Sequence, residues 1–439
     1  MMPLDPQPLI AHVGAERVVL AEAVRARYRL GGRTPAAVVS PPSPEAVAAI
    51  LAHAREEGLG VVPWGGGTLQ GLGAPPARYD LALSLRAMAE VVDYQPDDLT
   101  VTVRPGITPA ELERLLVHRN QFLPIDPPRP QEATIGGIVA ANASGPLRAG
   151  YGTVRDWLIG AIVATPDGHL VKGGGRVVKN VAGYDLPKLW TGALGTLGVL
   201  VELTFKVTPR PESREFALAI LRDGVRAERL IAAVLDSDAN PAVLELCDAS
   251  AWQAVAGEAP ADDGRFVLFG GFFGAEEAAA WQRDLFTAQA EAVGASVAPL
   301  PKEEGERLLV ALGDFAGDGD LVVRLSVPSS ACTETVEAVI ADARSRGLAI
   351  RCATHAASGS IRARVDRLAP DAVDELVTAW RQAAVARGGH AIVLRAPEAA
   401  AGHYDPWGAL GGDLRLMREI KRALDPVSVL NPGRFVAGL

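Results

Sequence analysis

Cysteine is scarce in this sequence: Cys247, Cys332 and Cys352 are the only three among 439 residues. Three scattered cysteines cannot form a self-contained four-cysteine iron–sulfur or zinc site. Their scarcity fits a reducing cytoplasm. If the chain has a redox function, its electrons must therefore pass to another protein or to a diffusible acceptor.

Long apolar runs and an excess of basic residues are also absent. No window holds the roughly 18 consecutive apolar residues of a membrane span, and residues 1–30 lack the basic and apolar regions of a secretory signal. The formal net charge of -9 and the pI near 5.4 argue against nucleic acid as the main partner, because neutralising phosphates requires clustered Lys and Arg. We therefore expect a folded cytoplasmic protein without an integral membrane segment.

A length of 439 residues predicts at least two domains, because one hydrophobic core rarely organises so long a chain. The first half alternates strand-like runs with capped helices. Ser43 is placed as an N-cap, and Thr108 with Glu111 predicts a capping box. Asp167–Gly168 predicts a hairpin turn between two strands.

The pattern changes after Pro209 and Pro211, where glycine becomes less frequent. Strand-like runs then alternate with Ala-rich helices predicted over 275–293 and 330–346. Two split βαβ units, each an α+β sandwich, would produce this order. The sequence therefore predicts an α+β protein with a second domain that begins at about residue 211.

The stretch VVPWGGGTLQGLGAPP, residues 61–76, places a glycine-rich loop directly after an apolar run. Glycine lets backbone N–H groups approach a phosphate that a Cβ would block. A P-loop is excluded because no Lys-Ser/Thr pair follows the last glycine. A Rossmann loop is disfavoured because another turn and strand follow where its helix would begin. The alternative to a phosphate site is a flexible surface loop.

Two further segments favour the phosphate site. Residues 124–160 end a Pro-rich run in TIGGIVAANASG, where small residues would let a large planar ligand lie on the backbone. Residues 183–207 place Gly192, Gly195 and Gly198 before an apolar strand. Three such segments together indicate a bound dinucleotide.

Four pieces carry a family resemblance: PWGGGT, TIGGIVAANASGPLRAGYG, GYDLPKLWTGALGTLGVLVELTFKV and IKRALDPVSVLNPGRF. In this order they resemble FAD-binding proteins of the vanillyl-alcohol oxidase and p-cresol methylhydroxylase type, and among these the FAD-binding subunits of bacterial glycolate oxidase. The resemblance implies FAD as the cofactor. It also implies a two-part FAD-binding domain at 1–210, a ferredoxin-like α+β cap at 211–412, and a C-terminal segment at 413–439 that returns to the FAD domain.

The same resemblance implies which residues contact FAD. The loop 65–71 would hold the pyrophosphate, Gly198 and Val199 would contact the nucleotide half, and Asn431 and Arg434 would approach the ring. The implied cofactor-binding set is Pro63, Trp64, Gly65, Gly66, Gly67, Thr68, Gln70, Gly71, Thr134, Ile135, Gly136, Gly137, Ala140, Asn142, Ser144, Gly145, Gly198, Val199, Asn431 and Arg434.

One departure from the family pattern argues against a metal. Relatives that use a divalent cation to oxidise 2-hydroxy acids carry HxGDGNxH, whereas this chain has HAASGSIR at 355–362. His355 matches the first histidine, but Arg362 occupies the position of the second. Guanidinium stays protonated and has no lone pair to donate to a metal. We therefore expect no metal site.

Oxidation of a hydroxy acid requires a base for the hydroxyl proton and a cation for the carboxylate. His355 is the candidate base, and His390 and His403 are alternatives. Arg324 and Arg362 are the candidate cations. Strand alternation does not say which face is solvated, so each arginine has a surface role as its alternative.

Three functions stay open. The resemblance implies a small 2-hydroxy-acid substrate and a glycolate oxidase-like complex, in which a paralogous FAD subunit and an iron–sulfur subunit are partners and make any contact with the inner membrane. The alternatives are a stand-alone FAD-dependent alcohol or hydroxy-acid oxidase and a non-catalytic FAD-binding relay subunit. The altered HAASGSIR motif favours a complex or a relay over a metal-assisted enzyme.

Overall fold

The computed structural model describes residues 4–176, 183–261, 264–315, 317, 319–409 and 411–439. The helices are α1 Gln7–Val13, α2 Glu22–Arg25, α3 Pro44–Glu56, α4 Pro109–Leu116, α5 Ile135–Ala141, α6 Arg148–Tyr151, α7 Val154–Trp157, α8 Leu186–Trp190, α9 Gly224–Leu235, α10 Ala249–Ala256, α11 Glu276–Ala292, α12 Lys302–Asp314, α13 Cys332–Ser345, α14 Val373–Val385 and α15 Leu414–Leu424. The strands are β1 Val18–Val19, β2 Ala37–Val39, β3 Val61–Trp64, β4 Leu81–Ser84, β5 Val91–Gln95, β6 Thr100–Val103, β7 Gln121–Phe122, β8 Leu158–Ala164, β9 Leu170–Gly174, β10 Val199–Lys206, β11 Thr208–Pro209, β12 Ser213–Leu221, β13 Val243–Asp248, β14 Phe266–Gly274, β15 Ser296–Leu300, β16 Leu321–Ser326, β17 Ile350–His355, β18 Ser360–Val365 and β19 His390–Arg395. Within these ranges, no helix combines the length and apolar character needed to cross a membrane.

Two main sheets build the N-terminal part. The first has the order β1-β2-β4-β3, in which β2, β4 and β3 are parallel, and the second is the antiparallel sheet β5-β6-β10-β8-β9. Helix α3 joins them, because Val47, Ile50 and Leu51 are fully buried in a core to which both sheets contribute. Ser43 caps α3 by accepting the N–H of Ala46, and the capping box of Thr108 with Glu111 is present.

An eight-stranded antiparallel sheet follows, with the order β15-β12-β14-β13-β17-β18-β16-β19. Each half is a split βαβ unit, so the predicted α+β class is confirmed. The prediction described two sandwiches, whereas in the structure the two units share a single sheet. Their edge strands β13 and β17 pair, with Glu245 opposite His355. The domain limits at 210 and 412 stay predictions.

Helices cover the two faces of this sheet unequally. Helices α9, α11, α13 and α14 cover one face, where Phe286 and Trp380 are fully buried. On the other face, α10 and α12 contribute to a smaller core that also contains Leu147 from the N-terminal part. The remainder of that second face, on β16 to β18, is free to carry polar residues.

The C-terminal segment returns to β3. Val61 donates its N–H to the carbonyl of Val429 at 2.8 Å, and Asn431 donates to the carbonyl of Val61 at 2.9 Å. Lys421 fixes this return, since its buried Nζ bonds the Thr196 carbonyl at 2.8 Å and Asp425 Oδ2 at 2.7 Å. A buried cation thus connects α15 to the loop before β10.

We expect Lys421→Met to destabilise the protein by about 3 kcal/mol, because it leaves the fully buried Asp425 carboxylate without its cation. Thermal unfolding followed by circular dichroism measures the effect. Arg422→Met, at an exposed position of the same helix, is the matched control and should change the midpoint little. Equal midpoints for the two variants would contradict a structural role for the buried pair.

Candidate active site

The glycine loop after β3 lies directly against the backbone that leads into α5. A Cβ on Gly66 would lie 1.9 Å from the Glu132 carbonyl oxygen, and one on Gly65 would lie 2.0 Å from Thr134 Oγ1. In the part of the chain that the structure describes, the N–H groups of residues 66–69 donate to no protein acceptor. The close approach therefore produces a short row of free amide donors, which suits a phosphate.

Arg434 holds this loop from the C-terminal side. Its guanidinium donates to Gln70 Oε1 at 2.6 Å, to the Gln70 carbonyl at 2.7 Å and to the Leu72 carbonyl at 2.9 Å. The side chain is 4% exposed, and burial lowers its pKa to about 10. All of its hydrogen bonds go to neutral oxygens, so its positive charge is available to a bound anion.

A cleft with an empty volume of about 950 Å³ runs along the glycine loop, α5 and the start of β10. The predicted cofactor-binding residues that line it are Pro63, Trp64, Gly65, Gly66, Gly67, Thr68, Gln70, Thr134, Gly136, Gly137, Ala140, Gly198, Val199, Asn431 and Arg434. Gly71 and Ser144, from the same predicted set, line an adjoining second cleft. The structure thus brings together segments that are far apart in the sequence.

Ile135, Asn142 and Gly145 line neither of these two clefts. The Ile135 side chain is fully buried in the core, and its N–H donates to the Ile107 carbonyl. Asn142 ends α5 in a left-handed conformation, with φ 47°. The Gly145 N–H donates to Asp126 Oδ1 at 3.1 Å. These three residues shape the backbone, and their predicted FAD contacts stay predictions.

The second cleft has an empty volume of about 1850 Å³ and shares Trp64, Gly67 and Thr68 with the first. Its far wall is the polar face of the eight-stranded sheet. His355, Arg324 and Arg362, the three predicted catalytic residues, all line it. His390 and His403 are exposed and do not line it; in the loop that contains His403, Tyr404 reaches the cleft instead.

A buried network connects three side chains on neighbouring strands. His355 Nδ1 is hydrogen bonded to Glu245 Oε1, and Arg362 donates to Glu245 Oε2 at 2.6 Å. The exposed fractions are 0% for Glu245, 3% for His355 and 5% for Arg362. Burial raises the pKa of Glu245 to about 8 against the opposing effect of Arg362. Burial, reinforced by Arg362, lowers the pKa of His355 well below its ordinary value.

Among the residues that the structure describes, Arg324 forms no ion pair with a carboxylate. It lies directly opposite Arg362 in the β16–β18 ladder, an arrangement in which like charges repel. Its buried Nε has no hydrogen-bond partner among the described residues. Arg148, which donates to Ser144 Oγ at 3.2 Å, faces the same cleft. Burial, with Arg148 contributing, lowers the pKa of Arg324 to about 10. An anion between these arginines would relieve the repulsion.

Comparison with known families identifies the chain. Residues 35–174 match the FAD binding domain family, and residues 210–435, just over half of the chain, match the C-terminal domain of FAD linked oxidases. The chain belongs to the FAD-linked oxidases. FAD is therefore its cofactor, as the family resemblance implied.

Two curated relatives and one solved structure are similar to this oxidase. Glycolate oxidase subunit GlcD of Bacillus subtilis (strain 168) is 33% identical over 214 residues, covering 49% of this chain and 46% of the relative. Glycolate oxidase subunit GlcE of Escherichia coli (strain K12) is 43% identical over 132 residues, covering 30% of this chain and 38% of the relative. The chain thus spans less than half the length of either relative in these alignments. The structure of p-cresol methylhydroxylase with substrate bound has a TM-score of 0.78 at 17% identity, covers 98% of this chain and 95% of that chain, and shows the same fold.

The first cleft fits FAD on its own chemistry. The free amides of residues 66–69 and the Arg434 cation suit the two phosphates. The side-chain oxygen of Asn431, which lines this cleft, is buried without a hydrogen-bond partner among the residues described, as expected of a group that binds a ligand. Small residues on α5 leave room for a planar ring.

Two residues near the second cleft were missed from the sequence: Arg148 lines the cleft, and Glu245 is fully buried behind His355 and Arg362, which line it. Glu245 is the one acidic residue in the apolar strand AVLELC, and an acidic residue that alternates with apolar ones on a buried strand is a usable signal. Arg148 lies inside the quoted TIGGIVAANASGPLRAGYG segment as its only charge. In the described ranges, no group of three or more His, Cys, Asp or Glu residues is placed to hold a metal.

We expect Gly66→Ala to lower the FAD content of the purified oxidase at least about tenfold, because the added Cβ would overlap the Glu132 carbonyl and displace the loop. Flavin absorbance per protein measures the content. Gly274→Ala is the control outside the implied cofactor-binding set, since its Cβ would meet nothing within 4 Å. Full FAD occupancy in Gly66→Ala would contradict the assignment of the glycine loop to the cofactor site.

Proposed function

We propose that this FAD-linked oxidase oxidises a small 2-hydroxy acid as the FAD-binding subunit of a glycolate oxidase-like complex. The observation that carries the proposal is Arg324, which lines the second cleft with Arg148, lies opposite Arg362 and has no partner for its buried Nε within the described ranges. A carboxylate is the anion that a 2-hydroxy acid brings to such a site. The similarity to two glycolate oxidase subunits supports the same substrate class.

In this proposal the two clefts bind different molecules. Residues 1–210 hold FAD in the first cleft, residues 211–412 form the cap that binds the substrate, and residues 413–439 close the FAD domain. Arg324 and Arg148 bind the substrate carboxylate, while Arg362 is held by Glu245 on the same wall. The contiguity of the clefts supports this division, because Trp64, Gly67 and Thr68 belong to both.

The proposed chemistry separates a proton from a hydride. FAD, when bound, supplies the acceptor for the hydrogen and the electron pair of the carbinol C–H bond. His355 removes the hydroxyl proton, for which its neutral imidazole is suited. The arginines hold the carboxylate and so fix which substrate atoms face His355 and which face the first cleft.

The electrons then leave for a partner. Cys247, Cys332 and Cys352 are each buried and unpaired, and three cysteines do not provide a four-cysteine cluster. We propose a paralogous FAD subunit and an iron–sulfur subunit as partners, in the cytoplasm, with any contact to the inner membrane made by those partners. The likeness to both GlcD and GlcE supports a multi-subunit assembly.

Anaerobic mixing of the FAD-loaded chain with glycolate and D-lactate tests the proposed function. Loss of the oxidised flavin spectrum in the chain alone would support direct catalysis and exclude the relay alternative. Reduction only after the partner subunits are added would favour the relay, and rapid reoxidation by oxygen alone would favour the stand-alone oxidase. A flavin that none of these 2-hydroxy acids reduces, with or without partners, would overturn the proposal.

We expect Arg324→Met to weaken substrate binding about 10- to 100-fold, because a charge-assisted hydrogen bond to the carboxylate contributes about 1.5–3 kcal/mol. The concentration dependence of flavin reduction measures the binding. Arg351→Met, which removes an arginine of the same sheet that lines a different cavity, is the control. Unchanged binding in Arg324→Met would place the carboxylate elsewhere.

A further inference from the structure

Glu245 is a buried carboxylate in direct contact with the proposed base, His355. It is fully buried on β13 and is bonded on one side to His355 Nδ1 and on the other to Arg362. Arg362 is in turn fixed by donating to the Leu312 carbonyl at 3.0 Å. The carboxylate therefore cannot turn away from His355 without breaking an ion pair.

The Glu245–His355 contact allows two arrangements of one proton. When Glu245 is ionised, Nδ1 carries the hydrogen and donates it to the carboxylate, and Nε2 has a free lone pair. When Glu245 is protonated, its O–H donates to Nδ1, and Nε2 carries a hydrogen instead. His355 lines the second cleft, so the state of Glu245 decides whether the imidazole can accept a proton from a ligand there.

We infer that Glu245 is a positioning residue that makes His355 a base and takes up the proton His355 removes. This inference rests on the proposed function. As the substrate O–H bond breaks, a bond from that proton to His355 Nε2 forms; the Nδ1–H bond breaks, and the proton joins Glu245 Oε1. The carbinol hydrogen leaves with its electron pair to the flavin, so the oxidation and the proton transfer balance.

The charges around the pair favour this route over protonation of His355 alone. Arg362, Arg148 and Arg324 all disfavour an imidazolium at this position. An imidazolium would add a fourth positive charge beside three guanidinium groups in a buried site. With transfer to Glu245, the imidazole ends neutral and the new proton lies on the carboxyl.

Burial and the charge of Glu245 together raise the pKa of two neighbouring acidic groups. Asp126, from the segment before α5, is electrostatically coupled to Glu245, and burial raises the pKa of Asp126 to about 7. Burial also raises the pKa of Cys247, two residues along β13, well above its ordinary value. Protonation of Glu245 therefore avoids repulsion from its acidic neighbours, whereas the ionised form of Glu245 is stabilised by the arginines.

The first test follows flavin reduction by glycolate or D-lactate under anaerobic conditions as a function of pH. In the wild type, the rate should rise with pH through about 8, because the ionised form of Glu245 is the active one. Glu245→Gln keeps a hydrogen-bonding group but cannot take up a proton, so we expect a rate about 100-fold lower and without that rise. Glu306→Gln, a cap carboxylate bonded to Arg214 at 2.8 Å, is the matched control and should behave as wild type.

The second test needs no turnover. In protein labelled with ¹⁵N-histidine, the His355 signals are identified by their loss in His355→Gln. We expect the hydrogen on Nδ1 well above the Glu245 pKa of about 8 and on Nε2 well below it. In Glu245→Gln this pH-dependent exchange of tautomers should disappear, whereas a merely structural role would leave it in place.

The outcomes separate the two proposals. If 2-hydroxy acids reduce the wild-type flavin but Glu245→Gln matches wild type in rate and pH profile, only the inference about Glu245 is overturned. A wild-type His355 with the same tautomer at every pH would overturn it independently. If the wild-type flavin is not reduced at all, the proposed function fails and takes this inference with it. A folded, FAD-loaded Glu245→Gln with the slow, flat profile supports both.

Discussion

Close backbone contact between the glycine loop and the Glu132–Thr134 segment is the constraint on which the site depends. Gly66 allows it, since any larger residue would overlap the Glu132 carbonyl. Within the described ranges, the amides of residues 66–69 have no protein acceptor, and the Arg434 guanidinium holds the loop by donating to Gln70 and Leu72. An unpaired row of donors next to a buried cation has little reason to exist without an anion. The proposed phosphate site for FAD thus depends on backbone packing as much as on particular side chains.

The second cleft follows from strand pairing in the cap. Because β16 pairs β18, two arginines face each other, and because β13 pairs β17, a glutamate faces a histidine. Glu245 pairs with both Arg362 and His355, and the described part of the chain provides no carboxylate partner for Arg324. The protein as a whole has a net charge of -9. The positive charge of the second cleft is therefore a local feature and not a consequence of composition.

Much of this arrangement was predictable from the sequence. The glycine segments, the capping box of Thr108 and Glu111 and the two βαβ units have local signals that tertiary contacts did not override. The roles of Ile135 and Gly145 were harder to predict. The sequence of a small-residue segment does not show which of its backbone amides already donate hydrogen bonds within the protein. Glu245 was missed because its partners lie more than 100 residues away and meet it only through the pairing of β13 with β17.

A crystal structure of the FAD-loaded protein with oxalate would locate both ligands at once, because oxalate is an unreactive carboxylate of similar size to the proposed substrates. We expect the FAD phosphates against the amides of residues 66–69, and an oxalate carboxylate within hydrogen-bonding distance of Arg324 and Arg148. Phosphates bound away from the glycine loop, or oxalate bound away from both arginines, would contradict this expectation.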